Sequence, residues 1–461
     1  MAEGEAIYVF TRDKSFYKTF LRLCLALMLE QAVILSVNLA DNLMLGTYSE
    51  AALSGVAAVN QIQFVYQQIV YAVGNGLIVL GSQYWGQRRL GEVRSIAAIG
   101  VRIEIIVAAV LFALVSVFPQ GALRLFTDQP DFVDQGVQYL NIMRWSYPFF
   151  ALTAVLLSTM RVVESVNIAL IVSAISLCVN VCINYLLIGG RLGFPEMGVR
   201  GAAIGTLTAR VVEFVIVLTY VLRDQRLGMR MKHFFSRSAV LTRDFIRIAA
   251  PIFSSQLLWG VANALQTVIL GHMNDSAIAA QSISNTVFLL MKVTSVGTAS
   301  AASVLIGKTV GQGDMDRVKS YSRTLQVIFA GVGVMLMSAM LLIRIPLLSV
   351  YAPKITSETY SLANTYMIIQ AFVLLVTAYQ MPVNTGIIRG GGDTKFVFYL
   401  DTVAILTFIP LAALGGLVWG WPPIAVIICV NVDQLLKCFP AYIRVNSYKW
   451  VKKLTRDEKS A

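Results

Sequence analysis

Charge is scarce in this 461-residue chain, where Asp, Glu, Lys and Arg make up 13% of the residues against 57% hydrophobic ones. So little polar surface cannot clothe a water-soluble globule, which excludes an ordinary soluble enzyme or binding domain. Histidine is nearly absent, with only His233 and His272, and the five cysteines (Cys24, Cys178, Cys182, Cys429, Cys438) contain no CxxC pair. Neither a zinc site nor a disulfide framework is suggested. No GxxxxGKS/T, HExxH or GxSxG occurs, so the expectation is no enzyme, no self-contained ATP-driven pump, no cofactor and no metal. The polar start, MAEGEAIYVFTRDKSFYK, and the absence of a small-residue cleavage signature after it give no removable signal peptide.

What the chain has is apolar length, with a mean hydropathy of +0.70. Runs long enough to span a bilayer fall near 17–45, 53–80, 96–118, 136–158, 166–188 and 198–222, then near 245–270, 278–306, 324–345, 361–385, 396–416 and 421–443. The expected fold is an all-α membrane protein of about twelve transmembrane helices. The net charge of +12 lies between the apolar runs rather than on an aromatic-interleaved face, so it predicts topology and not nucleic-acid binding. Most of the 37 Lys and Arg fall in alternate loops, whereas Arg124, Arg191, Arg200, Arg344 and Lys354 fall on the other side. Basic loops resist translocation, so both termini are expected in the cytoplasm of a cell whose inner membrane holds the chain as a multi-pass protein. The basic segment 223–244 divides the chain into an N-lobe, 1–222, and a C-lobe, 245–443, with a tail at 444–461. That linker reads as a solvated amphipathic stretch on the inner leaflet, with a specific lipid or regulator site as the other reading.

The two halves repeat. Offset by 225 positions, Arg22 meets Arg247, Gln31 meets Gln256, Asn38 meets Asn263, Asn60 meets Asn285, and Gly86-Gln87 meets Gly311-Gln312; at an offset of 228, Arg161 meets Arg389. Polar matches inside apolar runs are not supplied by composition alone. Six spans per half is an even number, which makes the repeats parallel (6+6), and two such lobes can enclose a cavity opened alternately to either side.

Ionisable groups at lipid depth need a partner, a wet cavity or a function. Arg210 with Glu213 and Asp433 with Lys437 can pair on one helix face. Asp41 has no basic neighbour at helical spacing, and burial of such a carboxylate favours the neutral form that a proton-loading group needs. Its other reading is a water-exposed residue near the outer helix end. Glu30, three turns earlier, is either a cavity residue or half of a buried pair. Lys292 is expected to pair with Asp401 or Asp433, the alternative being a fixed cation in the C-lobe. Phe64, Tyr66, Tyr71, Met367, Phe372, Tyr379 and Met381 suit a cavity that stacks flat cations, though core packing would use the same residues.

The stretches NLADNLMLGTYSEAALSGVA, GSQYWGQRRLGEVR, NVCINYLLIGG, MGVRGAAIGTLTARVVE and GIIRGGGDTKF resemble the multidrug and toxic compound extrusion (MATE) family over nearly the whole chain. The resemblance implies a secondary-active exporter of small organic cations or amphiphiles, antiporting cargo against protons or Na+ by alternating access. It makes Asp41 a coupling residue and matches Asn180 and Asn184 to an Asn and an Asp of the fifth span, with Thr206 of the sixth span beside them. Ala26 stands where one subgroup has a bending proline, and Trp259 and Ala378 stand where another has sodium-site carboxylates. The expected partners are thus cargo, the coupling ion and membrane lipids, with the chain a monomer. The other transport reading, a flippase for lipid-linked oligosaccharides, would want surplus cavity cations. Arg144, Arg210, Lys292 and Lys437 against Glu30, Asp41, Glu213, Asp401 and Asp433 offer none.

Overall fold

The computed structural model describes residues 10–124, 129–271, 273, 275–351, 353 and 355–456. His272, Lys354 and the outermost terminal residues, on which some expectations fell, lie outside that set. Among the described residues there is no strand, and every apolar run is helical. The first half holds α1 (Lys14–Tyr48), α2 (Glu50–Gly86), α3 (Leu90–Val117), a short α4 (Pro119–Arg124), α5 (Pro130–Met143), α6 (Ser146–Val162), α7 (Asn167–Leu187) and α8 (Val199–Arg223). The second holds α9 (Ala239–Gly271), α10 (Asp275–Gln312), α11 (Met315–Tyr351), α12 (Ser357–Met381), α13 (Thr394–Ala413) and α14 (Pro423–Asn446). Eleven of these are long and apolar enough to cross a membrane, and α5 with α6 makes a twelfth across a 55° bend.

That bend corrects the fourth expected span, drawn as one run over 136–158. Pro148 has no N–H, and its ring clashes with the carbonyl four residues back, that of Arg144, so the helix stops there and restarts at Ser146. Several helices also outrun their apolar stretches. At 38 residues, α10 is roughly 57 Å long, about twice the hydrocarbon thickness, so its ends continue where hydropathy no longer marks the helix. Side-chain caps fix other ends. Ser49 in extended geometry accepts from the Ala52 amide and starts α2, and Thr356 accepts from Thr359 and starts α12. After α12 the chain makes a π-helical turn, Pro382–Ile388, because Pro382 removes one donor of the regular ladder.

Two compact units emerge, one of Met1–Met28 with Ser254–Thr455 and one of Leu29–Phe253 with Arg456–Ala461. Thus α1 begins in one unit and ends in the other, and α9 does the reverse. In the second of these units the core gathers Leu45, Val56, Tyr66, Tyr139, Tyr147 and Phe150; in the first it gathers Met340, Tyr366, Met367, Leu374 and Ile427.

Candidate functional site

Close helix packing builds the polar site of the Leu29–Phe253 unit. Gly201 and Gly205, one turn apart on α8, let α7 approach to backbone contact, as small residues do between membrane helices. A Cβ at Gly205 would overlap Oδ1 of Asn184, and one at Gly201 would lie 2.7 Å from the Leu187 carbonyl carbon. Asn180 and Asn184, both almost fully buried on α7, therefore face Thr206 of α8.

A hydrogen-bond chain that diverges from Asn184 results. The Thr206 hydroxyl donates to the Ala202 carbonyl (3.1 Å) and accepts from Asn180 Nδ2 (3.3 Å). Asn180 Oδ1 accepts from Asn184 Nδ2 (3.2 Å), which also donates to Asp41 Oδ1 at 2.6 Å. Asp41, half-buried on α1, is the acceptor at the end of the chain, and Oδ1 of Asn184 is buried with no hydrogen-bond partner. The site thus brings together Asp41, Asn180, Asn184 and Thr206, with Tyr139 beside Thr206. Arg210 lies within electrostatic reach of Asp41, but its guanidinium pairs with Glu213 at 2.8 Å, as the i,i+3 spacing predicts. The sequence shows Asp41 without a cation because Arg210 approaches only through the fold. At the 225-residue repeat offset, Asp41 corresponds to Gln266, so the carboxylate belongs to one half alone.

Glu30 stands apart from this chain. It is buried and pairs with Arg161 of α6 at 2.6 Å, so of the two readings of Glu30 the geometry matches the buried pair. The repeat equivalents are Ser255 and Arg389, which keep the cation and lose the acid. Arg161→Leu should cost about 3–5 kcal/mol by stranding a buried carboxylate, and Arg161→Leu with Glu30→Leu should recover most of it. Thermal unfolding of the purified variants checks this; equal losses in the single and double variants would refute it.

The aromatic residues divide. Tyr66 is core: its hydroxyl donates to the Tyr147 carbonyl at 2.8 Å, and its ring packs 5.1 Å from Tyr147 and 5.9 Å from Phe150. This corrects its assignment to a cavity wall. Phe64, Tyr71, Lys292 and Met381 are half-buried. The expected ion pair of Lys292 with Asp401 or Asp433 is also corrected, because Lys437 holds both acids, at 3.3 and 3.0 Å. Lys292 instead lies over the Trp259 ring, 4.9 Å from its centroid, and 5.9 Å from that of Phe288. The Asp433–Lys437 pair continues through Gln434, Gln380 and Asn384, the last on the π turn, three amides that sequence spacing did not single out.

One further residue was missed. Glu104 on α3 is fully buried, neither carboxylate oxygen has a hydrogen-bond partner, and the Tyr66 phenol lies within its field. An acid in the middle of the apolar run SIAAIGVRIEIIVAAVLF was the available signal, obscured by Arg102 two residues earlier. Other parts of the resembling motifs are structural. Asp393 of the GGGDTK stretch holds Arg444 (3.0 Å) and Lys452 (2.6 Å), while Tyr84 and Asp244 hold the Arg456 amide (3.3 Å) and guanidinium (2.6 and 2.9 Å).

Among proteins of known sequence, the chain is 22% identical to an uncharacterized transporter, YisQ, of Bacillus subtilis, over 96% of each chain. It is 25% identical to a probable multidrug resistance protein, NorM, of Xylella fastidiosa, covering 86% of this chain and 84% of that one. Among solved structures, a mutant of the Vibrio cholerae MATE transporter VcmN superposes with a TM-score of 0.86 over 95% of this chain and 98% of that one; at 17% identity this likeness is one of fold. The MatE family model matches residues 26–186 and 251–414, taking in α1 through α7, including Asp41, Asn180 and Asn184, and most of the second half. With its twelve apolar spans and its polar chain ending on Asp41, this protein belongs to the MatE family of multidrug and toxic compound extrusion transporters.

Proposed function

We propose that this chain is a secondary-active exporter of organic cations or other amphiphiles, driven by protons that exchange with cargo on Asp41. The observation that carries the reading is the buried hydrogen-bond chain that diverges from Asn184, one branch ending on that carboxylate and the other running through Asn180 to Thr206. An ionised Asp41 accepts a charge-assisted bond from Asn184, and such bonds are about twice as strong as neutral ones. A proton arriving on Asp41 weakens that bond and cancels the charge that a cationic cargo would use. A turn of the Asn184 carboxamide, with the Asn180 carboxamide turning alongside so that it donates to Asn184 instead of accepting from it, then offers the unused Oδ1 to the carboxylic O–H. One amide can thus serve both protonation states, and cargo and proton compete for one site, which is what exchange requires. Protons are favoured over sodium because the second carboxylate of the resembling N-lobe site is Asn184 here, and the C-lobe positions are Trp259 and Ala378. The name of the Xylella relative supports multidrug cargo. Export of a fluorescent organic cation from reconstituted vesicles under an imposed pH or sodium gradient tests the reading.

In this reading both termini and the 223–244 linker face the cytoplasm of the inner membrane, the chain works as a monomer, and lipid surrounds it. Lys232, exposed in the linker, reports the orientation. As the sole cysteine, Lys232→Cys should escape an impermeant thiol reagent in intact cells and react in inverted vesicles. Labelling in intact cells would reverse the topology.

A further inference from the structure

A second built site lies in the same unit, away from Asp41. Arg102 of α3, Arg237 and Ser238 of the linker, and Ala239, Thr242, Arg243 and Ile246 of α9 line a cleft of about 520 Å³. No carboxylate is among its lining residues, although three guanidiniums are. Arg102 spends its Nε on the Ala98 carbonyl (3.2 Å) and keeps one η nitrogen buried without an acceptor. Arg237 and Arg243 are exposed and make no ion pair among the described residues. Asp244, the acid next to Arg243, is taken by Arg456 at 2.6 Å. Ser238 caps α9, its Oγ accepting from the Leu241 amide at 3.2 Å, so the positive end of that helix adds to the field of the arginines.

Three guanidiniums with no acid among the lining and one buried, unfilled donor suit an anion, and guanidinium forks match phosphate oxygens. The rest of the lining selects among phosphates. Ala239 and Ile246 make part of the wall apolar, and Ile246 is 53% exposed on the outer face of a membrane-spanning helix. A free phosphate would leave that wall wet, whereas the glycerol and upper acyl chain of a phospholipid would cover it.

We propose that this cleft binds an anionic phospholipid, its phosphate held by Arg102, Arg237 and Arg243 and its acyl chain lying along Ile246. The site draws the basic linker and the start of α9 to the bilayer surface, on the leaflet that carries anionic lipid if the linker is cytoplasmic.

The test uses the full-length protein, purified in detergent and titrated with phosphatidylglycerol, phosphatidylcholine or inorganic phosphate. Retained lipid is counted by native mass spectrometry. Wild type should retain phosphatidylglycerol at least roughly 10-fold better than phosphatidylcholine, and Arg237→Gln with Arg243→Gln, both exposed positions, should remove most of that preference. Arg102→Lys, which keeps the charge and loses the fork, should weaken retention by a smaller factor. Unchanged selectivity in the double variant would overturn the site. Displacement of the lipid by inorganic phosphate at equal concentration would assign it to free phosphate and overturn the lipid reading. Neither result depends on whether Asp41 carries the coupling proton, so this proposal and the transport reading fail separately.

Discussion

In reconstituted vesicles, Asp41→Asn is expected to reduce pH-gradient-driven export of an organic cation to the leak of protein-free membranes, while the purified variant unfolds within about 1 kcal/mol of wild type. The two halves of that expectation have one cause. An asparagine at position 41 still presents an oxygen to Asn184 Nδ2, so the chain through Asn180 and Thr206 survives and the fold loses little. It can neither accept nor release a proton and carries no charge for a cation, so turnover stops in the state that mimics a loaded proton. Wild-type export driven by a sodium gradient alone, or a transporting Asp41→Asn, would sink the mechanism. The second result would turn attention to Glu104, a buried acid of this unit whose carboxylate oxygens have no hydrogen-bond partner among the described residues.

Gly205→Ala should be nearly as damaging without touching an ionisable group. The new Cβ meets Asn184 Oδ1, the end of a rotatable side chain, so the amide swings away and Nδ2 leaves Asp41. Transport is expected to fall to near background, with a stability loss of about 1–3 kcal/mol for the disrupted buried hydrogen bonds. If the effect acts through Asn184, it must vanish when that side chain is gone. Added to Asn184→Ala, Gly205→Ala should change stability by less than about 0.5 kcal/mol. Additive losses would mean that α7 and α8 are simply being forced apart. Gly201→Ala supplies that contrast, since its Cβ meets the Leu187 backbone, which cannot swing aside.

The sequence made the membrane fold legible because apolar runs leave few alternatives to helices, and all twelve expected spans have helical counterparts. The break at Arg144 was also written there, in Pro148, but a hydropathy window averages over it. Pairs on one helix, Arg210–Glu213 and Asp433–Lys437, were visible from spacing. Pairs across the fold were not: Arg161 is 131 residues from Glu30, and Lys437 captured both acids assigned to Lys292. Nothing local distinguishes two asparagines on α7 from ordinary interhelical amides, so Asn180 and Asn184 came into view through family resemblance. Glycine at 205 looked like part of a motif, and only the packing of α7 against α8 shows which atom its missing side chain makes room for.

The division of α1 and α9 between compact units bears on how such a chain is made. When synthesis has passed α8, the unit that holds Leu29–Phe253 still lacks its α9 segment, and Met1–Met28 has no Ser254–Thr455 to join. The Leu29–Phe253 segment is then completed by the first half of α9, whereas Met1–Met28 must wait until the chain has reached Thr455, so the order of emergence lets one unit gather its core first. For a repeat protein this also constrains ancestry. A single half-length copy, lending the start of its first helix in the same way, could complete its core only by exchanging that segment with a second copy, as swapped dimers do.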